Sequence, residues 1–205
     1  MFGVDPLRSG AIFRDGVKVR FDGPHDAIAS GVGFVTEDRK DEGLILDMPI
    51  AANVSLANIC AVSRSGIMRL AAETRLAQEA GGKLTLKYDR VSDAASSLSG
   101  GNQQKVVLAK WLARNPKVLL LDEPTRGVDV GAKAEIYAIL RDLARNGVAL
   151  LVVSSETSEL MTLADRIVVL AEHHVQGELK RSEFSEENIL KLAYGQSGNA
   201  GEIRR

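Results

Sequence analysis

Three stretches between residues 98 and 129 decide the fold: Leu98-Ser-Gly-Gly-Asn-Gln-Gln104, Val118-Leu-Leu-Leu-Asp-Glu-Pro-Thr125 and Gly127-Val-Asp129. In the first, two glycines open a helix. In the second, an apolar strand ends in two adjacent carboxylates, and in the third another carboxylate follows a short loop. Apolar strands placed between helices are typical of an α/β protein whose parallel sheet is covered on both faces.

The rest of the chain supports the same fold class. Apolar and helical segments alternate after residue 116, which predicts a mainly parallel sheet, and Asp15-Gly16 is a strong signal for a small antiparallel hairpin. The predicted strands are 10–21 (as a hairpin), 31–36, 117–122, 148–154, 166–170 and 173–179. The predicted helices are 24–30, 102–114, 131–146 and 157–163. We expect helix 102–114 to be amphipathic, with an inner stripe of Val106, Val107, Trp111 and Leu112.

Composition divides the chain into four expected segments. Residues 1–47 would form an N-terminal β/α part of the core. Residues 48–101, which are rich in Ala, Ser and Arg and poor in β-branched side chains, would form a helical subdomain that ends at the Gly-Gly turn. Residues 102–194 would complete the core. Residues 195–205 are Gly- and Asn-rich, and we expect a disordered tail there.

Bulk properties exclude several classes of protein. The formal net charge is −1, so no electrostatic footprint favours nucleic acid or an anionic lipid surface. No apolar run approaches the roughly 18 residues that a membrane span needs, and residues 1–6 do not resemble a secretory signal. The single cysteine, Cys60, cannot form an internal disulfide; we expect a reducing compartment and a buried side chain.

The glycines at the start of helix 102–114 are costly for a helix. Each loses roughly 1 kcal/mol against alanine, so we expect some group to approach the backbone closely at Gly100 and Gly101. The N–H groups of a first helical turn suit a phosphate. Ser99 can cap the helix and also offer a hydroxyl; a plain serine cap with a flexible turn is the structural alternative.

Two carboxylates end the buried strand. Asp122 lies where open α/β sheets bind ligands, and it suits a Mg²⁺ ion held through water. Glu123 is one residue further on and could accept a proton from a water that attacks a γ-phosphate. Asp129 precedes helix 131–146; it can be an N-cap, and in this context we expect a role at a subunit interface.

The loop that normally holds the phosphates is not in this sequence. No segment has the pattern G-x-x-x-x-G-K-[ST]. The nearest candidate, Gly81-Gly82-Lys83-Leu84, has Leu84 where a hydroxyl is required and Ala77 where the first glycine is required. We therefore expect the isolated chain to bind Mg-ATP negligibly.

Taken together, these motifs resemble an ABC transporter nucleotide-binding domain, and in particular the second cassette of fused monosaccharide importers of the ribose/xylose/galactoside type. The similarity extends over about residues 1–194. It implies an incomplete P-loop NTPase core with a helical signature subdomain, lacking the first strand, the phosphate loop and the first helix. The segments that carry the resemblance are LSGGNQQK at 98–105, the strand at 118–123, RGVDVGAK at 126–133, and Thr36-Glu-Asp-Arg-Lys40 with Glu42-Gly-Leu44.

The resemblance implies roles for the first turn of the signature helix and for the strand end. In this family, Ser99, Gly100, Gly101 and Gln103 would close over the γ-phosphate of ATP held by a second cassette. Asp122 would serve Mg²⁺ and Glu123 would be the catalytic base for the nucleotide of its own domain, while Asp129 would lie near the interface.

Two positions depart from the general cassette pattern. Glu37 replaces the loop glutamine that couples to the membrane subunit, and Ser155 replaces the switch histidine. Both replacements look usual for the second cassette of this importer group, and both residues remain candidates for the nucleotide site. They bear on whether a site completed by this half hydrolyses ATP at a normal rate.

The resemblance also implies partners and a location. ATP and Mg²⁺ would be the cofactors of the complete assembly, which would hydrolyse ATP to drive sugar uptake. The partners would be a second ATP-binding cassette, transmembrane permease subunits and, indirectly, a periplasmic sugar-binding protein. The chain would be peripheral on the cytoplasmic face of the bacterial inner membrane, without nucleic acid and without inserting into the bilayer.

Two other interpretations differ in class. A natural half-cassette could act as a non-catalytic binding or regulatory module that uses its signature against a complete partner. A chromosome-maintenance or DNA-repair ATPase would also carry a signature helix, but the near-neutral charge and the lack of sustained heptads disfavour it.

Overall fold

Strands and helices alternate through most of the chain in the computed structural model, which describes residues 1–195. The nine strands of this part are β1 Ile12–Arg14, β2 Val17–Val19, β3 Val32–Val35, β4 Ser63–Arg64, β5 Ile67–Met68, β6 Val118–Asp122, β7 Ala149–Val153, β8 Arg166–Ala171 and β9 His174–Lys180. Its eight α-helices are α1 Pro24–Ala29, α2 Ile50–Ser55, α3 Ile59–Val62, α4 Leu70–Lys83, α5 Gly100–Leu112, α6 Val130–Arg145, α7 Thr157–Leu163 and α8 Glu186–Tyr194. A π-helical turn covers Arg39–Gly43, and short 3₁₀ turns cover Leu56–Asn58, Ala95–Ser97 and Arg181–Glu183. The chain forms two compact units, Met1–Val153 and a second that begins at Ser154.

A three-stranded parallel sheet is the centre of the first unit. Its order is β3-β6-β7, with Val32 opposite Val118 and Asp122 opposite Val153. The predicted parallel α/β core is therefore present. Within residues 1–195, β7 pairs with β6 alone. Its Leu151 and Val153 are 45% and 58% exposed, so one face of this apolar strand is largely uncovered.

Helix α5 packs closely on the sheet at a glycine. An added Cβ at Gly33 in β3 would lie 2.7 Å from Leu119 Cδ2 and 3.3 Å from Trp111, so only glycine lets helix and strand approach this far. Phe2 covers the same region, with its ring edge-on to Trp111 at 5.7 Å and tilted against Phe34 at 5.4 Å.

The prediction that α5 is amphipathic is wrong. The four apolar residues of the expected stripe are buried, but so is every other residue from Gln103 to Leu112, including Lys105 and Lys110. The helix packs against α2, α4, α6 and β3, and therefore lies inside the first unit and not on its surface. Three of its buried polar side chains, Gln103, Lys105 and Lys110, donate hydrogen bonds to backbone carbonyls, which offsets part of the cost of burying them.

The segment between residues 48 and 97 is mainly helical, as predicted, and it contains an unpredicted hairpin. Strands β4 and β5 pair antiparallel around Ser65-Gly66, where both residues have positive φ. Asn53 is fully buried; its side chain accepts a hydrogen bond from Ile45 N–H (2.8 Å) and donates to Ile45 O (2.9 Å), which fixes the entry to α2. Cys60 is exposed, so its predicted burial is wrong.

The hairpin predicted at Asp15-Gly16 is present as β1 and β2, with φ of 51° and 76° at the two turn residues. The backbone of both residues is in the left-handed region, which matches the twist of strands joined by a two-residue turn.

The second unit combines one hairpin with helices α7 and α8. Strands β8 and β9 pair antiparallel with an irregularity at Val169/Leu170. Ile167, Val169, Leu179 and Ile189 form its buried cluster. Helix α8, which periodicity did not identify, is capped by Ser185, whose hydroxyl accepts from Asn188 N–H at 3.1 Å. Apart from Gly195, the tail predicted at 195–205 lies outside the described residues.

Candidate functional site

The two carboxylates lie at the carboxyl end of β6, as the sequence predicts. Asp122 is the last residue of the strand and is half-buried. Glu123 leaves the strand with φ of +45°, in the left-handed region that non-glycine residues seldom adopt, and its N–H donates to Val153 O at 2.9 Å. The backbone therefore turns sharply between the two carboxylates.

An open depression of about 240 Å³ lies at this end of the sheet. Its walls are mainly apolar, with two carboxylates, and they are formed by Met1, Phe2, Val4, Asp5, Phe34, Leu120, Leu121, Asp122, Leu151 and Val153. This is the end of a parallel sheet at which α/β proteins bind their ligands.

The first turn of α5 has the expected serine cap. Ser99 Oγ accepts from Asn102 Nδ2 at 3.1 Å and from Asn102 N–H at 3.5 Å, and Ser99 O accepts from Gln103 N–H at 2.8 Å. Helical geometry leaves the N–H groups of Gly100 and Gly101 without an acceptor inside the helix. Together with the positive end of the helix dipole, they form a suitable position for an anion.

The structure gives a different reason for the two glycines than the one expected from sequence. An added Cβ at Gly100 would lie 2.9 Å from Arg39 Nη2, and one at Gly101 would lie 2.5 Å from Ala132 Cβ. At Gly101 the close approach that excludes a side chain is made by Ala132 of this chain, whereas the neighbour of Gly100 is the flexible end of the Arg39 side chain. The glycines are compatible with a phosphate but do not by themselves require one.

Gln103 is buried, with both ends of its side chain engaged. Its Nε2 donates to Ala95 O at 3.3 Å, and its Oε1 accepts from Arg39 Nε at 3.5 Å. Any contact between this amide and a phosphate would require that arrangement to change.

Arg39 joins α5 to the loop that follows the carboxylates. Its Nη1 donates to Arg126 O at 2.7 Å and its Nη2 to Gly127 O at 3.1 Å. The sequence motif that contains Arg39 does not indicate this role. The signal that could identify it is its position between Glu37 and an acidic turn.

Glu37 makes an ion pair with Arg126. Both side chains are well exposed, at 45% and 64%, so the pair contributes little to stability, but it holds the same loop from a second side. Asp38 caps the adjacent π-turn. Its carboxylate accepts hydrogen bonds from the N–H groups of Asp41 and Lys40, and these bonds lower its pKa.

The remaining candidates lie in turns before helices. Asp129 is the N-cap of α6, where its Oδ1 accepts from Ala132 N–H at 2.9 Å. Ser155 lies in the second unit, in the exposed turn between β7 and α7. The structure therefore brings together, in the first unit, the start of α5, Glu37 and the loop that contains Glu123 and Asp129.

The groups gathered here suit the Mg²⁺ ion and the terminal phosphate of a magnesium–nucleotide complex, but not its other phosphates. Residues 1–195 contain no group of three or more His, Cys, Asp or Glu side chains that could bind a metal by themselves. Asp122 instead suits a Mg²⁺ ion that keeps most of its water. The start of α5 suits a terminal phosphate, whereas the sequence provides no lysine-bearing loop to hold the remaining phosphates.

The fold and this combination of a capped glycine turn with a strand-end carboxylate pair define an ATP-binding cassette. The sequence model of the family described as ABC transporter matches residues 1–126, and the chain belongs to this family. It is 48% identical over 195 residues to the ribose import ATP-binding protein RbsA of Bacillus licheniformis, covering 95% of this chain and 40% of that protein. It is 47% identical over 197 residues to a putative ribose/galactose/methyl galactoside import ATP-binding protein of Rhizobium meliloti, covering 96% and 39%. The chain thus spans about two-fifths of the length of these relatives.

Solved structures support the same fold. The dimeric post-hydrolysis structure of the ATP-binding cassette MJ0796 bound to ADP and Pi superposes with a TM-score of 0.71 at 25% identity, over 88% of this chain and 77% of that one. The ADP conformation of the cassette MJ1267 superposes with a TM-score of 0.73 at 20% identity, over 95% and 80%. The expected fold, a partial ABC-type core, is confirmed. None of the helices within residues 1–195 combines the length and apolar character that crossing a bilayer demands.

Proposed function

We propose that the chain is part of the ATP-hydrolysing subunit of a monosaccharide importer, corresponding to its second cassette. The observation that carries the proposal is the joining, within one unit and through Arg39, of the α5 start to the loop that follows Asp122 and Glu123. The similarity to ribose and galactoside import proteins supports the substrate class.

The residues would divide their work between two nucleotides. The N–H groups of Gly100 and Gly101, with the Ser99 hydroxyl, would bind the terminal phosphate of ATP held by a second cassette. Asp122 would hold Mg²⁺ through water, and Glu123 would accept a proton from the attacking water at the site of its own domain.

Three further residues would frame these sites. Asp129, which caps α6, and Glu37, which holds Arg126, would lie near the seam between cassettes. Ser155, which replaces the switch histidine of the general cassette pattern, would bear on the rate of hydrolysis. Bound Mg²⁺ would supply charge stabilisation of the transferring phosphoryl group.

The assembly would place this chain on the cytoplasmic face of the inner membrane. Its partners would be the second cassette, the transmembrane permease subunits and, through them, a periplasmic sugar-binding protein. We expect neither nucleic-acid binding nor insertion into the bilayer. Closing of the two cassettes on ATP would drive the permease, and hydrolysis would allow reopening.

The first test measures nucleotide binding with and without a partner. A fluorescent ATP analogue should show no saturable binding to the chain alone below about 0.1 mM, which corresponds to a binding free energy of about −5.5 kcal/mol. Mixing the chain with a complete sugar-importer cassette, whose own phosphate loop is intact, should produce ATP-dependent association measurable by analytical ultracentrifugation. A wild-type chain that never associates would refute the proposal.

A charge substitution makes this test specific. Ser99→Asp keeps a good N-cap but places a negative charge where the phosphate is expected, so association should weaken roughly tenfold or more. The matched control is Ser185→Asp, which makes the same change at the N-cap of α8 and should leave association unchanged. Equal behaviour of the two variants would show that the α5 start does not meet the nucleotide.

A further inference from the structure

Arg39 connects three segments that are far apart in sequence. It belongs to the π-turn at 39–43, donates to two carbonyls of the loop before α6, and lies against the first turn of α5. Its Nε also donates to Gln103 Oε1 at the long distance of 3.5 Å. The three acceptors of Arg39 are two backbone carbonyls and the side-chain amide of Gln103, and none of them is charged. Arg39 therefore fixes the positions of these groups by hydrogen bonds and not by an ion pair.

Gly100 and Gly127 border this guanidinium. An added Cβ at Gly100 would lie 2.9 Å from Arg39 Nη2, whereas one at Gly127 would lie 3.6 Å from Nη1, an ordinary van der Waals distance. The group is thus enclosed between the α5 start and the loop, and the side chain is only half-exposed.

The forked shape of the guanidinium is what this position uses. Two adjacent carbonyls, Arg126 O and Gly127 O, each accept from a different nitrogen. A lysine has one nitrogen on a flexible stem and could not reach both carbonyls and Gln103 together. Glu37, two residues earlier, forms an ion pair with the Arg126 side chain of the same loop. The 36–43 segment therefore contacts the loop through two side chains, Glu37 and Arg39.

We infer that Arg39 is a positioning residue that sets the distance between the first turn of α5 and the loop leading to Asp129. It keeps the N–H groups of Gly100 and Gly101 at a fixed position relative to that loop. The consequence for nucleotide binding rests on the proposed function, whereas the positioning itself does not.

The positioning is tested on the chain alone by amide hydrogen exchange. Three amides report on the two sides of Arg39: Gln103 N–H donates to Ser99 O, Arg126 N–H to Glu123 O, and Val128 N–H to Thr125 O. Arg39→Ala and Arg39→Lys should each raise exchange at these amides roughly tenfold, the effect of losing one or two hydrogen bonds. The melting midpoint should change little.

The control variant is Arg114→Ala. Arg114 also donates to a backbone carbonyl, Ala57 O at 2.8 Å, so its removal is chemically matched but lies elsewhere. In the Arg114→Ala variant, the reporter amides of Gln103, Arg126 and Val128 should exchange as in the wild type. The inference is wrong if Arg39→Lys exchanges like wild type, or if Arg114→Ala accelerates the same three amides.

The consequence for binding is tested by ATP-dependent association with a complete cassette. Arg39→Lys should weaken association roughly tenfold at an unchanged melting midpoint, a combination that a purely structural role would not produce. If the wild-type chain fails to associate, the proposed function fails, while the exchange result still decides the positioning role. Normal association of Arg39→Lys would overturn the link between positioning and binding.

Discussion

Helices α5 and α6 are of similar length and pack against each other, yet they are buried to very different extents. Every residue of α5 from Gln103 to Leu112 is buried, whereas α6 buries only Ile136 and Leu140. The helix that begins with the glycine turn is therefore fixed from all sides. The helix that follows Asp129 is held along one stripe and can adjust more easily.

The polar side chains of α5 explain why it can be buried all round. Each of three side chains donates a hydrogen bond to a backbone carbonyl of another segment: Gln103 to Ala95 O, Lys105 to Thr85 O and Lys110 to Gly43 O. The helix thus anchors three loops as well as packing its apolar residues. Movement of the α5 start would have to disturb these loops, so we expect the start to behave as a rigid element.

The largest effect should come from removing core volume in each helix. Leu108→Ala in α5, where Leu108 is fully buried, should lower the free energy of unfolding by about 2–5 kcal/mol. Leu143→Ala in α6 removes the same atoms from a half-buried position and should cost under about 1.5 kcal/mol. Urea unfolding followed by the fluorescence of Trp111, the single tryptophan, measures both. Equal losses would show that the two helices do not differ as described.

The next effect concerns the buried ammonium of α5. Burial lowers the pKa of Lys110 from its ordinary value of 10.5 to about 8. Between these two pH values the unfolded chain binds the extra proton, so stability should rise with pH across this window, by at most roughly 3 kcal/mol. Lys110→Met should remove the rise, and the exposed-site control Lys18→Met should keep it. A flat profile in the wild type would contradict the lowered pKa.

The same glycine-to-alanine change should have opposite signs in the two helices. Gly101→Ala in α5 would place a Cβ 2.5 Å from Ala132 Cβ and should destabilise by about 1–3 kcal/mol. Gly131→Ala in α6 meets nothing closer than Asp129 Oδ1 at 3.4 Å, so the better helix propensity should stabilise by about 0.5–1 kcal/mol. Thermal melting of the two variants decides; stabilisation by both would mean that the helices are not in close contact at Gly101.

The smallest effect should come from the ion pair that joins the helices. Lys105 Nζ donates to Glu135 Oε2 at 2.6 Å, and this bond lowers the pKa of the Glu135 carboxyl. The resulting stability is present above the ordinary carboxyl pKa and is lost as the pH falls through the lowered one. Glu135→Gln should therefore melt below wild type near neutral pH and match it in acid. The effect is small because Glu135 is 53% exposed.

Much of the fold was predictable because strands and turns in this chain have strong local signals. The parallel strands are continuous apolar runs, and Asp15-Gly16 specifies its hairpin. The surroundings of α5 were not predictable from its periodicity, because the pattern counts Lys105 and Lys110 as solvent-facing. Their burial depends on carbonyls of segments 20 and 67 residues away in sequence.

The site was predictable in part, for a similar reason. Ser99 as an N-cap and the carboxylates at the strand end follow from local sequence. The occupants of the space above Gly100 and Gly101 do not, since Arg39 and Ala132 reach it only through the tertiary fold. The role of Arg39 likewise needs the distances to Arg126 and Gly127, which no spacing rule supplies.

The left-handed backbone at Glu123 has a consequence for the history of such genes. That conformation costs roughly 1–2 kcal/mol for a residue with a Cβ, and glycine or asparagine adopts it more readily. In a copy released from selection for hydrolysis, replacing the glutamate by glycine or asparagine would therefore relieve this backbone cost. Comparing residue 123 across descendants of this gene would distinguish lineages that still turn over nucleotide from those that have kept only the architecture.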